Sequence, residues 1–222
     1  MRNKFEHQLE KLNHNLISMC NLCEQVIENS VEALFVDEND EERYREIAQV
    51  VYDTDKEIDN LEAEIESLCL RLLLQQQPVA GDLRRISAAL KMISDLERIG
   101  DQASDITELT EYIRHCNLEH KLHLKEMSKV VIRMVKKSID SFIDSNLDEA
   151  HTVMEMDNEV DALFSKVKSE LISIISKDDT DAELCIDLLM VSKYLERIAD
   201  HAENIAEWVE YSITGVHKNV KL

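Results

Sequence analysis

Glycine and proline are nearly absent from this chain, which contains 3 glycines and 1 proline in 222 residues. Average usage of these two residues is roughly 7% and 5%. Strands joined by tight turns need both residues, whereas the interior of a long helix excludes them. The chain is 44% hydrophobic but only 5% aromatic, which suits helices packed through aliphatic side chains around a sizeable core. The sequence therefore predicts an all-α fold.

Helical periodicity divides the chain into six segments. Apolar residues recur at intervals of three and four, and the segments are separated by short polar turns or by Pro78. The predicted helices span about residues 1–36, 41–75, 79–115, 121–145, 147–176 and 180–214. Short connections make successive long helices antiparallel. We therefore expect six long antiparallel helices in two tandem three-helix bundles, which residues 1–116 and 117–222 would form.

The two halves repeat one another in sequence. Residues 96–106 and 195–205 both begin with Leu-Glu-Arg-Ile and share further positions. Upstream of each lies an Asp-x-x-x-Asp motif, at residues 55–59 and 157–161. Duplication of one unit explains both matches, and it predicts that the two bundles are pseudo-symmetric.

Carboxylates form columns on the predicted helices. Residues four apart share a helix face, so Glu97, Asp101 and Asp105 lie above one another and repel. Solvent and salt can offset that repulsion, and in so acidic a chain a single pair arises by accident. The same positions recur in both halves, however, and hard oxygen ligands at helical spacing suit metal ions. The column points away from the apolar face, so we expect metal on the outside of the bundle.

The charge balance restricts the classes of partner. With 46 acidic and 25 basic residues, the formal charge is -21, so a phosphate backbone would be repelled. Cations, or a basic protein surface, are better partners, and no nucleic acid is expected. We find no apolar run long enough to span a bilayer and no signal peptide, and the 5 cysteines fit reduced thiols. The sequence predicts a cytoplasmic protein.

Other candidate sites have weaker support in the sequence. His115, Cys116, His120 and His123 could bind zinc between the halves, although a polar connector explains them more simply. None of the 8 histidines has a glutamate three residues before it, which disfavours a ferritin-like di-iron centre. No nucleophile motif or phosphate-binding loop is present. We therefore do not expect an enzyme, although a metal-dependent enzyme acting on phosphate compounds is kept as a competing hypothesis.

Three segments together resemble the PhoU family of accessory proteins of phosphate-specific transport: residues 75–85 (Gln-Gln-Gln-Pro-Val-Ala-Gly-Asp-Leu-Arg-Arg), 96–101 and 195–200. The resemblance spans nearly the whole chain. It implies a tandem three-helix fold carrying multinuclear iron or zinc clusters on its surface. Carried over by position, the first site would comprise Asp55, Asp59, Glu97 and Asp101, the second would comprise Asp157, Asp161, Glu196 and Asp200, and Asp105 and Asn204 would flank them.

The resemblance also implies a function. Members of this family act as negative regulators of the phosphate-starvation response and of phosphate uptake. They connect the ATPase subunit of the phosphate ABC transporter to a phosphate-sensing histidine kinase, often as homodimers, and reach the membrane only through these partners. Two alternatives remain: an interaction protein that binds no metal and uses its acidic surface, and a regulator of another phosphate carrier. Because Phe164 and Lys168 replace Glu62 and Glu66, we expect a weaker second site.

Overall fold

The computed structural model describes residues 2–114, 121–176, 182–218 and 220–221. Within them lie six α-helices: α1 (Arg2–Leu34), α2 (Glu41–Gln76), α3 (Ala80–Ile113), α4 (Lys121–Ile143), α5 (Leu147–Ile175) and α6 (Ala182–Thr214). The predicted all-α fold is confirmed, and the helix ends differ from those predicted by only a few residues. The predicted boundary between the halves, after residue 116, lies outside the described residues.

Local interactions at the turns explain where the helices begin and end. The side chain of Asp40 accepts a hydrogen bond from the backbone N–H of Arg43, which caps the start of α2. Asn146 caps α5 in the same way. Helix α2 ends where Gln77 adopts a left-handed conformation (φ 46°) just before Pro78, whose ring disfavours helical backbone in the preceding residue.

The helices form two bundles that meet along α3 and α6. Helices α1, α2 and α3 pack together, as do α4, α5 and α6, and the halves meet through α3 with α6 and α1 with α4. On α3, Asp95 accepts a hydrogen bond from Asn204, while Asp105 further along α3 lies close to Tyr194. Residue numbers therefore rise along α3 as they fall along α6, so these two helices are antiparallel. The predicted tandem arrangement of two three-helix bundles is confirmed.

A single apolar core runs through both bundles. Leu96 and Ile99 of α3 are fully buried, as are Leu195 and Ile198 of α6. Burial of such side chains drives folding at about 25 cal/mol per Å². Because these residues face inward, the acidic side chains between them are left at the bundle surface. Among the described residues, no helix combines the length and the apolar character needed to cross a membrane.

A short C-terminal hairpin follows α6 and was not predicted. Its strands, β1 (Val216–His217) and β2 (Val220–Lys221), are antiparallel. The His217 ring stacks on Trp208 of α6, with ring centroids 3.8 Å apart. Strands of two residues are too short to leave a periodic pattern in the sequence, which is why periodicity missed them.

Candidate metal centre

Three carboxylates from two neighbouring helices converge in the first bundle. Asp55 and Asp59 lie one turn apart on α2, and Asp101 lies on α3, which packs against α2. One oxygen of each lies within 4.8 Å of an oxygen of the other two. In the part of the chain that the structure describes, this is the one group of three or more acidic, histidine or cysteine side chains so close together. We call it the first cluster.

Gly100 allows α2 and α3 to approach at this point. A Cβ atom at position 100 would lie 2.7 Å from Oδ1 of Asp55 and 3.2 Å from Cδ1 of Ile58, both shorter than ordinary van der Waals contact. The Asp55 carboxylate therefore rests against the backbone of α3 in space that only glycine leaves free. At the corresponding position, the second half has Ala199.

The Asp55 carboxylate lacks the interactions that a buried charge needs. Its Oδ1 is buried, and no donor among the described residues makes a hydrogen bond to it. Burial is the main cause that raises the pKa of Asp55; the charges of Asp59, Asp101 and Asp105 raise it further, and the nearby Ser104 hydroxyl acts against them. A buried, unpaired carboxylate is costly. A bound cation would remove both the desolvation cost and the repulsion, so this donor set fits a metal ion.

Glu97 and Arg98 border the first cluster on α3. Burial, and then the charge of Asp101, raise the pKa of the Glu97 carboxyl, and Glu62 and Asp59 add to the effect. The Arg98 guanidinium lies 2.9 Å from Asp101 and 3.4 Å from Glu97. Glu97, which was predicted to belong to the first site, therefore lies beside the first cluster, and its carboxylate is not among the three whose oxygens converge.

Asp105 lies at the interface between the halves. Burial raises its pKa first, followed by the charges of Asp101 and Glu108, while the nearby Tyr194 hydroxyl and Arg197 guanidinium of α6 lower it. Asp105 thus connects the first cluster to α6 through one carboxylate. Its predicted role as a flanking ligand stays a prediction.

The second bundle brings the corresponding acids near one another without the same convergence. Burial raises the pKa of Asp157 to about 6, with further contributions from Asp161, Asp200 and Glu196. Oδ1 of Asp157 is buried and accepts no hydrogen bond from the described residues, as is also true of Asp55. We call these four residues the second cluster.

Two further side chains of α6, Glu203 and Asn204, have interactions that the sequence did not reveal. Burial raises the pKa of Glu203 to about 7, and the charges of Asp157 and Glu207 raise it further. Glu203 lies three residues after Asp200, a spacing that could have identified it. Asn204, predicted to flank the second site, donates a hydrogen bond from Nδ2 to Asp95 of α3 at 3.2 Å.

The structure describes only one of the four candidate zinc ligands at the junction of the halves. His115, Cys116 and His120 lie outside the described residues. His123 is described, and its Nδ1 lies 2.7 Å from a carboxylate oxygen of Glu170 on α5. That contact joins α4 to α5 within the second bundle.

The chain matches a known protein domain in both halves. The PhoU domain matches residues 16–110 and again residues 124–209. Each match lies within one of the two predicted bundles.

Proteins and structures from several bacteria are similar over almost the full length. The phosphate-specific transport system accessory protein PhoU homolog of Clostridium acetobutylicum is 38% identical, with 96% of each chain covered. The homolog from Deinococcus radiodurans is 31% identical and covers 97% of this chain and 99% of its own. The crystal structure of PhoU from Pseudomonas aeruginosa aligns with a TM-score of 0.88 at 31% identity, covering 96% of this chain and all of that one. The regulatory protein PhoU from Streptococcus pneumoniae has the same fold (TM-score 0.85, 24% identity, 97% and 100% covered).

Proposed function

Because this chain belongs to the PhoU family, we propose that it is a negative regulator of the phosphate-starvation response and of phosphate uptake. As a member of the family it has an accessory role in phosphate-specific transport. Its proposed partners are the ATPase subunit of the phosphate ABC transporter and a phosphate-sensing histidine kinase. In this proposal it works in the cytoplasm as a metal-dependent adaptor, as a homodimer, and not as a catalyst.

One observation carries the metal-binding part of the proposal: Asp55, Asp59 and Asp101 converge around a buried oxygen that lacks a partner. Oxygen ligands of this kind suit hard cations, and clustered carboxylates can bridge several ions. A multinuclear iron or zinc cluster is the cofactor that the family resemblance implies. When bound, it would supply positive charge between the carboxylates of α2 and α3.

The first cluster is positioned to affect the contact between the halves. Asp101 and Asp105 lie one turn apart on α3, and Asp105 lies beside Tyr194 and Arg197 of α6. A cation at the first cluster would remove the repulsion between Asp101 and Asp105. In this way, metal content would change the electrostatic interactions where α3 packs on α6, and a partner that touches both halves could detect the change.

The test is metal analysis of protein purified without chelator, combined with one matched pair of variants. Asp101→Asn keeps the size of the side chain but removes a charge from the first cluster. Glu57→Gln removes a charge from an exposed position on the same helix as Asp55. We expect iron or zinc in the wild-type protein and in Glu57→Gln, and a loss of most of it in Asp101→Asn. Absence of metal from all three would refute the metal-dependent part of the proposal.

A second candidate function, docking without metal, is favoured by an acidic groove. This groove, of about 490 Å³, is lined by the apolar residues Val31, Phe35, Val36 and Ile132 and by the acidic residues Glu28, Glu32, Asp37 and Asp40, together with Arg43. The ammonium group of Lys125 lies 5.7 Å from the centroid of the Phe35 ring. Arg43 is itself paired with Glu32 at 2.6 Å. The chemistry fits a basic amphipathic helix of a partner protein that inserts one apolar side chain.

The groove can be tested apart from the metal site. Ile132→Gln changes the floor without changing the charge, and a helical peptide with one leucine flanked by lysines serves as the probe. We expect binding that weakens at least fivefold in Ile132→Gln but not in Asp101→Asn. Equal binding by Ile132→Gln and the wild type would show only general attraction to an acidic protein.

A further inference from the structure

The two clusters differ in the positive charge that accompanies them. On α6, the ammonium group of Lys193 pairs with Glu196, and it also lies 5.5 Å from the centroid of the Phe164 ring on α5. Since Leu195 aligns with Leu96, the position of Lys193 corresponds to Ser94 in the first half. The first half therefore lacks this lysine, and it has Glu62 in place of the aromatic ring.

Lys193 lies where its charge acts on the carboxylates of the second cluster. The Glu196 side chain is only 13% exposed, so its pair with Lys193 is less screened by water than an ordinary surface pair. Contact with an aromatic face also stabilises an ammonium group. Lys193 is also near Asp200, whose pKa is raised by burial and then by Glu196, and Lys193 and His201 both oppose this rise.

The first half has an arginine, not a lysine, beside its cluster. Arg98 is 54% exposed and lies 2.9 Å from Asp101, and the oxygens of Asp55, Asp59 and Asp101 lie within 4.8 Å of one another beside it. Its counterpart Arg197 is near Asp105, and in the described ranges it forms no ion pair with Glu196 or Asp200. The partner of Glu196 is thus Lys193, a residue outside the repeated motif, whereas His201 within the motif is paired with Asp95 of α3 at 2.9 Å.

We infer that Lys193 is a built-in counter-ion of the second cluster, which competes with metal ions for Glu196 and makes the two halves unequal in metal affinity. This inference builds on the proposed function, since it takes the first cluster as the stronger metal site. A multivalent cation must displace the ammonium group before Glu196 can become a ligand, and until then it is repelled by the lysine charge. The second half therefore retains the ligand residues of the family motif while its own lysine neutralises part of their charge.

The experiment uses the full chain, stripped of metal by chelation and then titrated with Mn²⁺. Calorimetry gives the affinity, and electron paramagnetic resonance counts the bound ions per chain. Lys193→Ser copies the residue of the first half, Lys193→Arg keeps the charge, and Lys4→Ser removes a charge from α1, which packs against neither α5 nor α6. Far-UV circular dichroism checks that each variant is helical.

We expect Lys193→Ser to tighten a second class of Mn²⁺ sites about tenfold, as loss of one unit charge next to a divalent ion predicts. Lys193→Arg and Lys4→Ser should bind as the wild type does. Adding Asp157→Asn to Lys193→Ser should abolish the gain, which would assign it to the second cluster.

The outcomes separate this inference from the proposed function. If the wild type binds Mn²⁺ at the first cluster but Lys193→Ser gains nothing, the inference is overturned and the proposed function stands. If only Lys193→Ser binds Mn²⁺, competition by Lys193 for Glu196 is supported, but the first cluster is not the metal site and the metal-dependent part of the proposed function is refuted. Equal, tight binding at both clusters of the wild type would also overturn the inference.

Discussion

The first and second clusters derive from one repeated motif, yet they have different surroundings. In the first, Asp55, Asp59 and Asp101 bring their oxygens within 4.8 Å of one another. In the second, no comparable group of three occurs among the described residues, and Glu196 is paired with Lys193. The comparison shows that two sites with the same ligand residues are not necessarily equivalent. The neighbouring residues determine how close the carboxylates come and which positive charge balances them.

The close approach of helices is the first of these differences. Gly100 lets the Asp55 carboxylate lie against α3, whereas Ala199 provides a Cβ at the same place in α6. The second difference is the partner charge, where a lysine replaces a serine. Both differences favour metal at the first cluster over the second.

The largest effect should come from Gly100→Ala. The new Cβ would lie 2.7 Å from Oδ1 of Asp55, so the carboxylate must leave its position and the three oxygens no longer converge. We expect Mn²⁺ affinity at the first cluster to fall more than tenfold, measured by calorimetry. Stability without metal should change by less than about 1 kcal/mol, because the helix propensity of alanine offsets the displacement.

Gly81→Ala is the matched control on the same helix, since nothing lies within 4 Å of the Cβ it would add. It should leave Mn²⁺ binding unchanged. Unaltered affinity in Gly100→Ala would mean that the glycine is not what brings Asp55 into the cluster.

The next effect is the pH dependence of stability, to which the second half should contribute more than the first. The pKa of Asp157 is raised from 3.8 to about 6 and that of Glu203 from 4.5 to about 7. At pH values between the ordinary and the raised pKa of each group, the folded chain binds more protons than the unfolded chain. The free energy of unfolding should therefore fall as pH rises through this range. Both groups are only partly buried and solvent screens part of the effect, so we expect a loss of only about 1 to 2 kcal/mol.

Chemical denaturation of metal-free protein at pH 5 and at pH 8 measures this loss. Asp157→Asn should remove more of the pH dependence than Asp55→Asn does. A wild-type protein that is more stable at pH 8 than at pH 5 would contradict the sign of the prediction.

A smaller effect, of opposite sign with and without metal, should appear at Asp59. This exposed carboxylate raises the pKa of Asp55 and of Glu97. Without metal, Asp59→Asn should stabilise the chain by about 0.2 to 0.5 kcal/mol per repulsive pair removed. With Mn²⁺, the variant should be less stable than the wild type, because a ligand is lost.

Asp161→Asn in the second half is the comparison for Asp59→Asn. It should stabilise the metal-free chain too, but Mn²⁺ should not reverse the effect while Lys193 is present. Thermal unfolding with and without Mn²⁺ distinguishes the two variants, and reversal in both would show that the clusters bind metal equally.

The sequence predicted the fold well because helical periodicity is a local property. Each apolar residue of α3, such as Leu96 and Ile99, contributes to a pattern that can be read without knowing its partners. The acidic columns were predictable for the same reason, since spacing along a helix determines which side chains share a face.

The details of the clusters depend on contacts between helices, and spacing does not reveal these. Asp101 and Asp55 converge only when α2 and α3 have a particular separation and relative rotation, which Gly100 helps to fix. The hydrogen bond from Asn204 to Asp95 and the pairing of Lys193 with Glu196 likewise depend on side-chain conformation. Sequence reasoning therefore found candidate ligands but not the positive charge that competes for them.

The smallest effect should separate the two arginines of the repeated motif. Arg98 is 54% exposed and bridges Asp101 and Glu97, so Arg98→Gln should cost the metal-free chain at most a few tenths of a kcal/mol. Since a competing cation is removed, Mn²⁺ affinity at the first cluster should rise about two- to fivefold. Arg197→Gln should not change Mn²⁺ binding at the second cluster, because Arg197 lies near Asp105 instead. If both substitutions tightened binding equally, the two arginines would be equivalent, and the asymmetry between the clusters would have to rest on Lys193 and Gly100 alone.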